Sequence, residues 1–368
     1  MPSELTWEQA IGWRLRRQHL DKRLPRAKLI PLTSELCGLH AQVMSSAELT
    51  ALCRLDGIRP GDFTQALWND RKLIKTWAMR STLHLLPADE YGKWLHVFSR
   101  YDRWHSPAWL TYFGVTADER DRITEAVGQA TRGRLLTRQE LAVDVMRLTG
   151  IEHVGEKLRQ GWGSLLKPAC YRGYLCFGPN KAQNTRFTHP ETEPDARDAE
   201  RFAASRYFAA YGPATFDDFS RWLQVGRSRS HELMRGLGDE LAEVSVEGTP
   251  AWILRKHLRA ARAADPVKTV RLLPAFDQYV FAAGLCSEHL VAREFRPRIY
   301  KNQGWFAPVL LVDGRMDGVW SFGRKPGRLE ITIEAFRKTP ARVRREAEEE
   351  AERIADYMGK PLELRWVQ

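Results

Sequence analysis

A chain of 368 residues is too long for one ordinary hydrophobic core, so two to four compact units are expected. A hydrophobic fraction of 43% excludes a disordered chain, and 57 Lys+Arg against 46 Asp+Glu leaves a net charge of +11. That balance favours an anionic partner, nucleic acid first among them.

Cys37, Cys53, Cys170, Cys176 and Cys286 are odd in number and lack C-x-x-C spacing. The pattern argues against a zinc site or a disulfide framework and for reduced thiols, and nothing in the sequence asks for a metal or another cofactor. The start, Met-Pro-Ser-Glu-Leu, has no charged-then-apolar signal pattern, and no apolar run reaches membrane-spanning length. A cytoplasmic protein with no membrane partner is expected.

Along the chain, Thr6-x-x-Gln9 is a capping box that opens a helix over 7–19 with Arg14, Arg16 and Arg17 near its end. A basic connection leads to a helical stretch over 34–55, in which Cys37-Gly38 marks a possible break. Two residues beyond that glycine lie His40 and Gln42. On extended backbone they point to the same side, whereas on a helix they diverge by more than a right angle. After the turn Arg59-Pro60-Gly61, the alternation over 73–87 suggests a pair of strands ended by Pro87. Trp77 and Met79 there read as core.

Helices followed by a strand pair make a winged helix, and the same grammar returns twice. Thr116-x-x-Glu119 and Thr137-x-x-Glu140 open helices, a helical stretch over 157–171 follows, and 173–179 with 185–188 reads as a hairpin. Pro190-Glu191-Thr192-Glu193-Pro194 reads as an exposed acidic linker. A third round has a helix over 201–211, helix starts at Thr215 and after Ser228, and a hairpin over 241–254 turning at Glu247-Gly248. From about Val267 the pattern becomes strand-rich. Strands are expected over 305–312, 318–321, 328–333 and 362–367, with Asp313-Gly314 as a hairpin turn and a helix from Pro340.

The expected fold is therefore mainly helical with β wings: three tandem winged-helix domains plus a C-terminal barrel-like or curled sheet. The boundaries are 1–115, 116–195, 196–265 and 266–368.

With these pieces in place the chain resembles the AlkZ-like winged-helix DNA glycosylases. The resemblance is carried by Gly38-Leu39-His40-Ala41-Gln42, by Lys75-Thr76-Trp77-Ala78-Met79-Arg80-Ser81-Thr82-Leu83-His84 and by Ala210-Tyr211-Gly212-Pro213-Ala214-Thr215. Leu273-Pro274-Ala275-Phe276-Asp277 and Trp305-x-x-Pro308-Val309-Leu310-Leu311-Val312-Asp313-Gly314 complete it, so it runs nearly end to end. It implies a basic DNA channel and excision of alkylated purines from duplex DNA, above all bulky or cross-linked N7-alkylguanine. A single chain with three modules can clasp DNA unaided, so a monomer is expected. In some relatives it implies protection of antibiotic producers. The family's motif is typically Gln-x-Gln or Gln-x-Asp. Here it falls on His40-Ala41-Gln42, a His-x-Gln variant that bears on substrate range more than on reaction type.

The chemistry suits those residues. Alkylation at N7 makes guanine cationic and a good leaving group, so the enzyme needs a positioned water and little more. Gln42 can orient that water through its amide oxygen, and a neutral His40, with an ordinary pKa near ~6.5, can hold it or accept its proton. For grip on DNA, Arg296, Arg298 and Lys301 surround Tyr300, Asn302 and Gln303 in a loop expected between strands, where cations, amides and an aromatic can enter a groove. Arg80 in the first wing and Arg227 and Arg229 before a helix are further phosphate candidates. The competing class is a non-enzymatic DNA binder, a transcription regulator or lesion sensor, since winged helices mostly bind. A lyase is less well supported, because the motif supplies no amine nucleophile.

Overall fold

The computed structural model describes residues 3–101, 103–160, 164–282 and 289–367; the side chain of Gln303 and all of Cys286 lie outside the described residues. Helices and strands are mixed along the chain, which divides into two compact units, each built from separated segments. No helix among the described residues is long and apolar enough to cross a membrane.

The first unit comprises Met1–Phe63, Ala204–Trp222 and Leu237–Gln368. Its opening helix is Trp7–Arg17, started by the expected capping box: Thr6 Oγ1 accepts from the Gln9 amide at 3.1 Å and Gln9 Oε1 accepts from the Thr6 amide at 2.9 Å. Strand Ser3–Leu5 runs parallel to Leu241–Val246, which turns through Glu247 and Gly248 into Thr249–Leu254. Leu5, Ala10 and Trp13 pack there with Val244 and Ile253.

Strands Val270–Leu273, Val309–Val312, Arg315–Lys325, Arg328–Ala335 and Leu362–Val367 stand side by side in chain order. Asp313 at φ 51° and Gly314 at φ 87° form the tight turn between the second and third, as the Asp-Gly pair leads one to expect. The expected barrel closure is absent among the described residues. Val270–Leu273 and Leu362–Val367 end the sheet on opposite sides, so it is open. The reason lies in the connection. Helix Ala341–Tyr357 carries the chain over the sheet, packs on both end strands, and brings the last strand back parallel beside Arg328–Ala335. Val343, Ala347, Ala351 and Ile354 form its buried stripe. Pro340 caps this helix rather than opening its first turn, a difference of one residue from expectation.

The second unit comprises Thr64–Ala203 and Leu223–Gly236. Leu73–Trp77 and Leu83–Pro87 form an antiparallel hairpin, and Cys176–Lys181 with Asn184–Thr188 forms another, joined by Leu136–Thr137. Helices Ala117–Thr131 and Arg138–Thr149 both start at the expected capping boxes. The helical stretch expected over 157–171 is divided, with helices at Gly155–Arg159 and Lys167–Tyr171. Trp77 is buried and packs edge-on against Phe177 at 4.8 Å, and Met79 is buried too, so both serve the core as expected.

Candidate active site

The helical stretch expected over 34–55 is two helices with a bent connection, and the bend creates the site. Helix Leu29–Glu35 ends in a Schellman motif: the Gly38 amide donates to Thr33 O at 2.7 Å and the Cys37 amide to Ser34 O at 3.0 Å. Cys37 at φ 59° and Gly38 at φ 96° reverse the chain. Glycine meets that demand at no steric cost; cysteine does so under local strain. The chain then runs extended through Leu39–His40, and helix Met44–Leu52 begins after Val43. His40 is buried, whereas Gln42, just before the helix, is half-buried. Both candidate catalytic residues therefore sit on non-helical backbone.

A second segment of the first unit holds this one in place. Leu273 is anchored by Trp320, whose indole N–H donates to its carbonyl at 2.8 Å. Beyond the turn at Pro274, Phe276 takes φ 62°, and its ring lies nearly parallel to the His40 imidazole, centroids 4.6 Å apart at 19°. Asp277 follows. Its carboxylate receives Arg54 in a fork, Nη1 to Oδ2 at 2.7 Å and Nη2 to Oδ1 at 2.8 Å, with both side chains fully buried. Burial pulls the Arg54 pKa down, but the charge and hydrogen bonds of Asp277 push it further up, so arginine stays cationic. Arg54 also donates to the carbonyls of Gln18 and Thr50, so it ties the end of the first helix and the end of helix Met44–Leu52 to Asp277.

Gln278 completes the clamp by donating its side-chain amide to Gly38 O at 2.7 Å. Tyr211 donates its hydroxyl to Leu36 O at 2.6 Å on the same connection. Leu36 and Gly38, on either side of Cys37, are thus fixed from two separate elements.

The expected DNA-contact residues fall into two groups. In the second unit, Arg80 lies on the hairpin turn after Trp77 at φ 59°, half-buried. His84 Nδ1 donates to Thr82 O at 3.0 Å, which leaves Nε2 to accept from Arg80 Nη2 at 3.3 Å. Arg227 is exposed at the first position of helix Arg227–Arg235. Arg229 is held by Glu200 and Glu232, so any phosphate must compete with two carboxylates for it.

In the first unit, the loop expected between strands is built of short helical turns at Arg293–Phe295, Arg296–Ile299 and Asn302–Gly304. Arg296-Pro297 starts the middle one, where proline fits the first turn. Arg296 is half-buried, Arg298 is exposed and paired with Glu334 at 2.5 Å, and Lys301 and Asn302 are exposed. Gln303 lies outside the described side chains. Tyr300 does not stand at the surface as a wedge. It packs edge-on against Phe306 at 5.6 Å, its hydroxyl faces Val280 O at 3.5 Å, and burial pushes its pKa up to about 12.

Sequence reasoning did not single out Phe276, Asp277, Gln278 and Arg54 as parts of the site. The signal lay in the Leu-Pro-Ala-Phe-Asp run, where a proline turn is followed by an aromatic and a carboxylate in an apolar setting. The buried arginine that answers Asp277 lies 223 positions away and has no local signature.

Comparison with known proteins comes down on one side. The family profile described as DNA glycosylase AlkZ-like matches residues 33–357. An interstrand DNA cross-link repair glycosylase of Streptomyces sahachiroi is 36% identical over 366 residues, covering 96% of this chain and 97% of the relative. The solved structure of a Streptomyces sahachiroi DNA glycosylase AlkZ superposes with a TM-score of 0.88 at 35% identity, covering 99% of this chain and all of that one.

Proposed function

The chain belongs to the AlkZ-like DNA glycosylase family, and on that premise we propose that it excises N7-alkylguanine from duplex DNA with His40 and Gln42 as its catalytic pair. It is a DNA glycosylase; the substrate, the residues and the monofunctional outcome are the proposal. In the reaction, water oxygen bonds to the sugar carbon as the carbon–N9 bond breaks. The bond electrons leave with the cationic base, which departs neutral, and the water proton passes to His40 or solvent. Gln42 positions the water and His40 polarises it. An abasic site remains.

The observation that carries this reading is the nature of the His40 enclosure. An imidazole on extended backbone is buried, faced by Phe276, and fixed through Gly38 by Gln278, while Gln42 beside it stays half-open. A group held this firmly beside a half-buried amide has the preorganisation that a positioned water needs. The cross-link repair named for the Streptomyces relative supports a bulky or cross-linked adduct of a genotoxic natural product as substrate, approached within a widened duplex. Further parts of the proposal are three winged-helix modules over 1–115, 116–195 and 196–265, DNA grip by Arg80, Arg227, Arg296, Lys301 and Asn302, monomeric action, and residence in the cytoplasm.

The test is release of base from duplex DNA containing N7-methylguanine or a bulky N7-alkylguanine. Wild type is expected to release base and leave an abasic site, and His40→Ala and Gln42→Ala are expected to lose that release. Tight binding to either duplex with no base released moves the protein to the binder class.

A further inference from the structure

We propose that Trp305 is a stacking subsite for an aromatic ring system carried by the adduct outside the scissile sugar–base bond. The inference rests on the N7-alkylguanine reading above and assigns the residue that selects the appendage.

Trp305 is 46% exposed, and Tyr112, in the second unit and 76% exposed, is the other exposed Phe, Tyr or Trp among the described residues. An indole left this open loses the burial that normally holds tryptophan in a fold. Its mounting is nevertheless rigid. The Lys301 amide donates to Trp305 O at 2.8 Å, the Ala307 amide donates to Ile299 O at 2.8 Å, and Tyr300 and Phe306 form an antiparallel bridge around the turn. Gly304 at φ 76° makes the reversal that places the indole.

The ring also has a defined neighbour. Phe276 lies 5.0 Å from the Trp305 ring at 52° and stacks with its own plane on His40. Trp305, Phe276 and His40 therefore form a continuous aromatic row from solvent to the buried imidazole. Phe306 supports the row from the side, edge-on to Phe276 at 6.1 Å. Phe276 accepts a left-handed backbone to take its place, and its neighbour Asp277 is locked by Arg54.

A purine whose glycosidic bond is presented to His40 and Gln42 lies beside the inner end of this row, where Phe276 already covers one face of the imidazole. A substituent at N7 projects from the base edge, away from the N9–sugar bond. The outer end of the row, two ring separations from His40, offers it a flat π surface. Lys301 and Asn302, exposed in the same loop, suit the flanking phosphates. Stacking on such a platform depends on the aromatic face of the guest, so a saturated substituent of equal bulk gains little from it.

The experiment compares catalytic efficiency of base release from three duplexes, carrying N7-methylguanine, an N7-guanine adduct with a fused polycyclic aromatic group, and one with a saturated group of similar size. Trp305→Ala is expected to lose about tenfold on the polycyclic duplex and to stay within about threefold on the other two, the loss of one base-sized stacking contact. Trp305→Phe should retain most of the efficiency, and thermal unfolding of both variants confirms that they fold. An equal loss on all three duplexes, or no loss on any, overturns the assignment. Wild type that releases nothing from any duplex removes the substrate reading beneath it, an outcome distinct from an unchanged ratio in an active enzyme.

Discussion

Gln278 donates its side-chain amide to the carbonyl oxygen of Gly38 across 2.7 Å of buried space, joining the turn after Pro274 to the connection that carries His40. The link joins positions 240 residues apart in sequence. Its partner is a backbone carbonyl at the point where the chain reverses before the candidate catalytic segment, so the bond sets the direction in which Leu39–His40 leaves the turn.

Replacing Gln278 by alanine leaves that carbonyl buried without its donor, at a cost of about 1–3 kcal/mol. Stability measured by urea unfolding is expected to fall by that amount. Single-turnover base release should slow about tenfold, because misplacing a catalytic group by a fraction of an ångström is costly. DNA affinity should hold, since Gln278 is buried. Equal loss of affinity and rate would mean that Gln278 supports the DNA-binding surface as a whole rather than the direction of Leu39–His40.

His40 carries the departure from the family's commoner Gln-x-Gln motif, and its replacement by glutamine tests what the imidazole adds. Glutamine can still orient water by hydrogen bond but cannot take a proton. If His40 chiefly positions water, His40→Gln should keep release of N7-methylguanine within about tenfold of wild type, while His40→Ala loses about a hundredfold or more. If the glutamine and alanine variants fall together, proton acceptance by His40 is the larger contribution.

Much of the local structure was legible, because local chemistry dictates it. Thr6, Thr116 and Thr137 announced helix starts by capping boxes, Asp313-Gly314 announced a two-residue turn, and the alternation over 73–87 announced a strand pair. The His40–Gln42 segment stood out through Cys37-Gly38, although the helical pattern around it concealed how complete the break is. Three features were out of reach for a physical reason. The sheet's openness depends on where the helix Ala341–Tyr357 deposits the last strand, which periodicity does not encode. The stretch around Tyr300 reads as a plain loop between strands, yet it is built of short helical turns, one of them started at Arg296-Pro297. The Arg54–Asp277 pair and the Phe276 stack on His40 each join residues more than two hundred positions apart.

The Arg54–Asp277 pair makes a separate prediction. Both groups are fully buried and fork to fork, so removing one leaves the other as an uncompensated charge. Asp277→Asn or Arg54→Met should each destabilise the protein by about 3–5 kcal/mol. Arg54→Met with Asp277→Leu should be milder than either single change by urea unfolding, since the double variant strands no charge. A double variant as unstable as the sum would show that the fork's hydrogen bonds to Gln18 and Thr50, rather than charge balance, carry its contribution.

Glu35 ends the helix that leads into Cys37-Gly38, and His19 Nε2 meets its carboxylate at 2.5 Å. That hydrogen bond holds the Glu35 pKa below its ordinary value of 4.5, against the opposing effect of partial burial. A carboxylate whose folded pKa is depressed contributes stability that is present above the unfolded pKa and is lost as pH falls through the folded one. The contribution should therefore be full at neutral pH and disappear on the acid side of 4.5. Glu35 remains about a third exposed, so solvent screening limits the effect to roughly 1 kcal/mol or less. Glu35→Gln should be the less stable protein at neutral pH and should converge with wild type in acid, as read from urea midpoints across that range. A gap that persists unchanged into acid would mean that the side chain acts by packing at the helix end rather than by its charge.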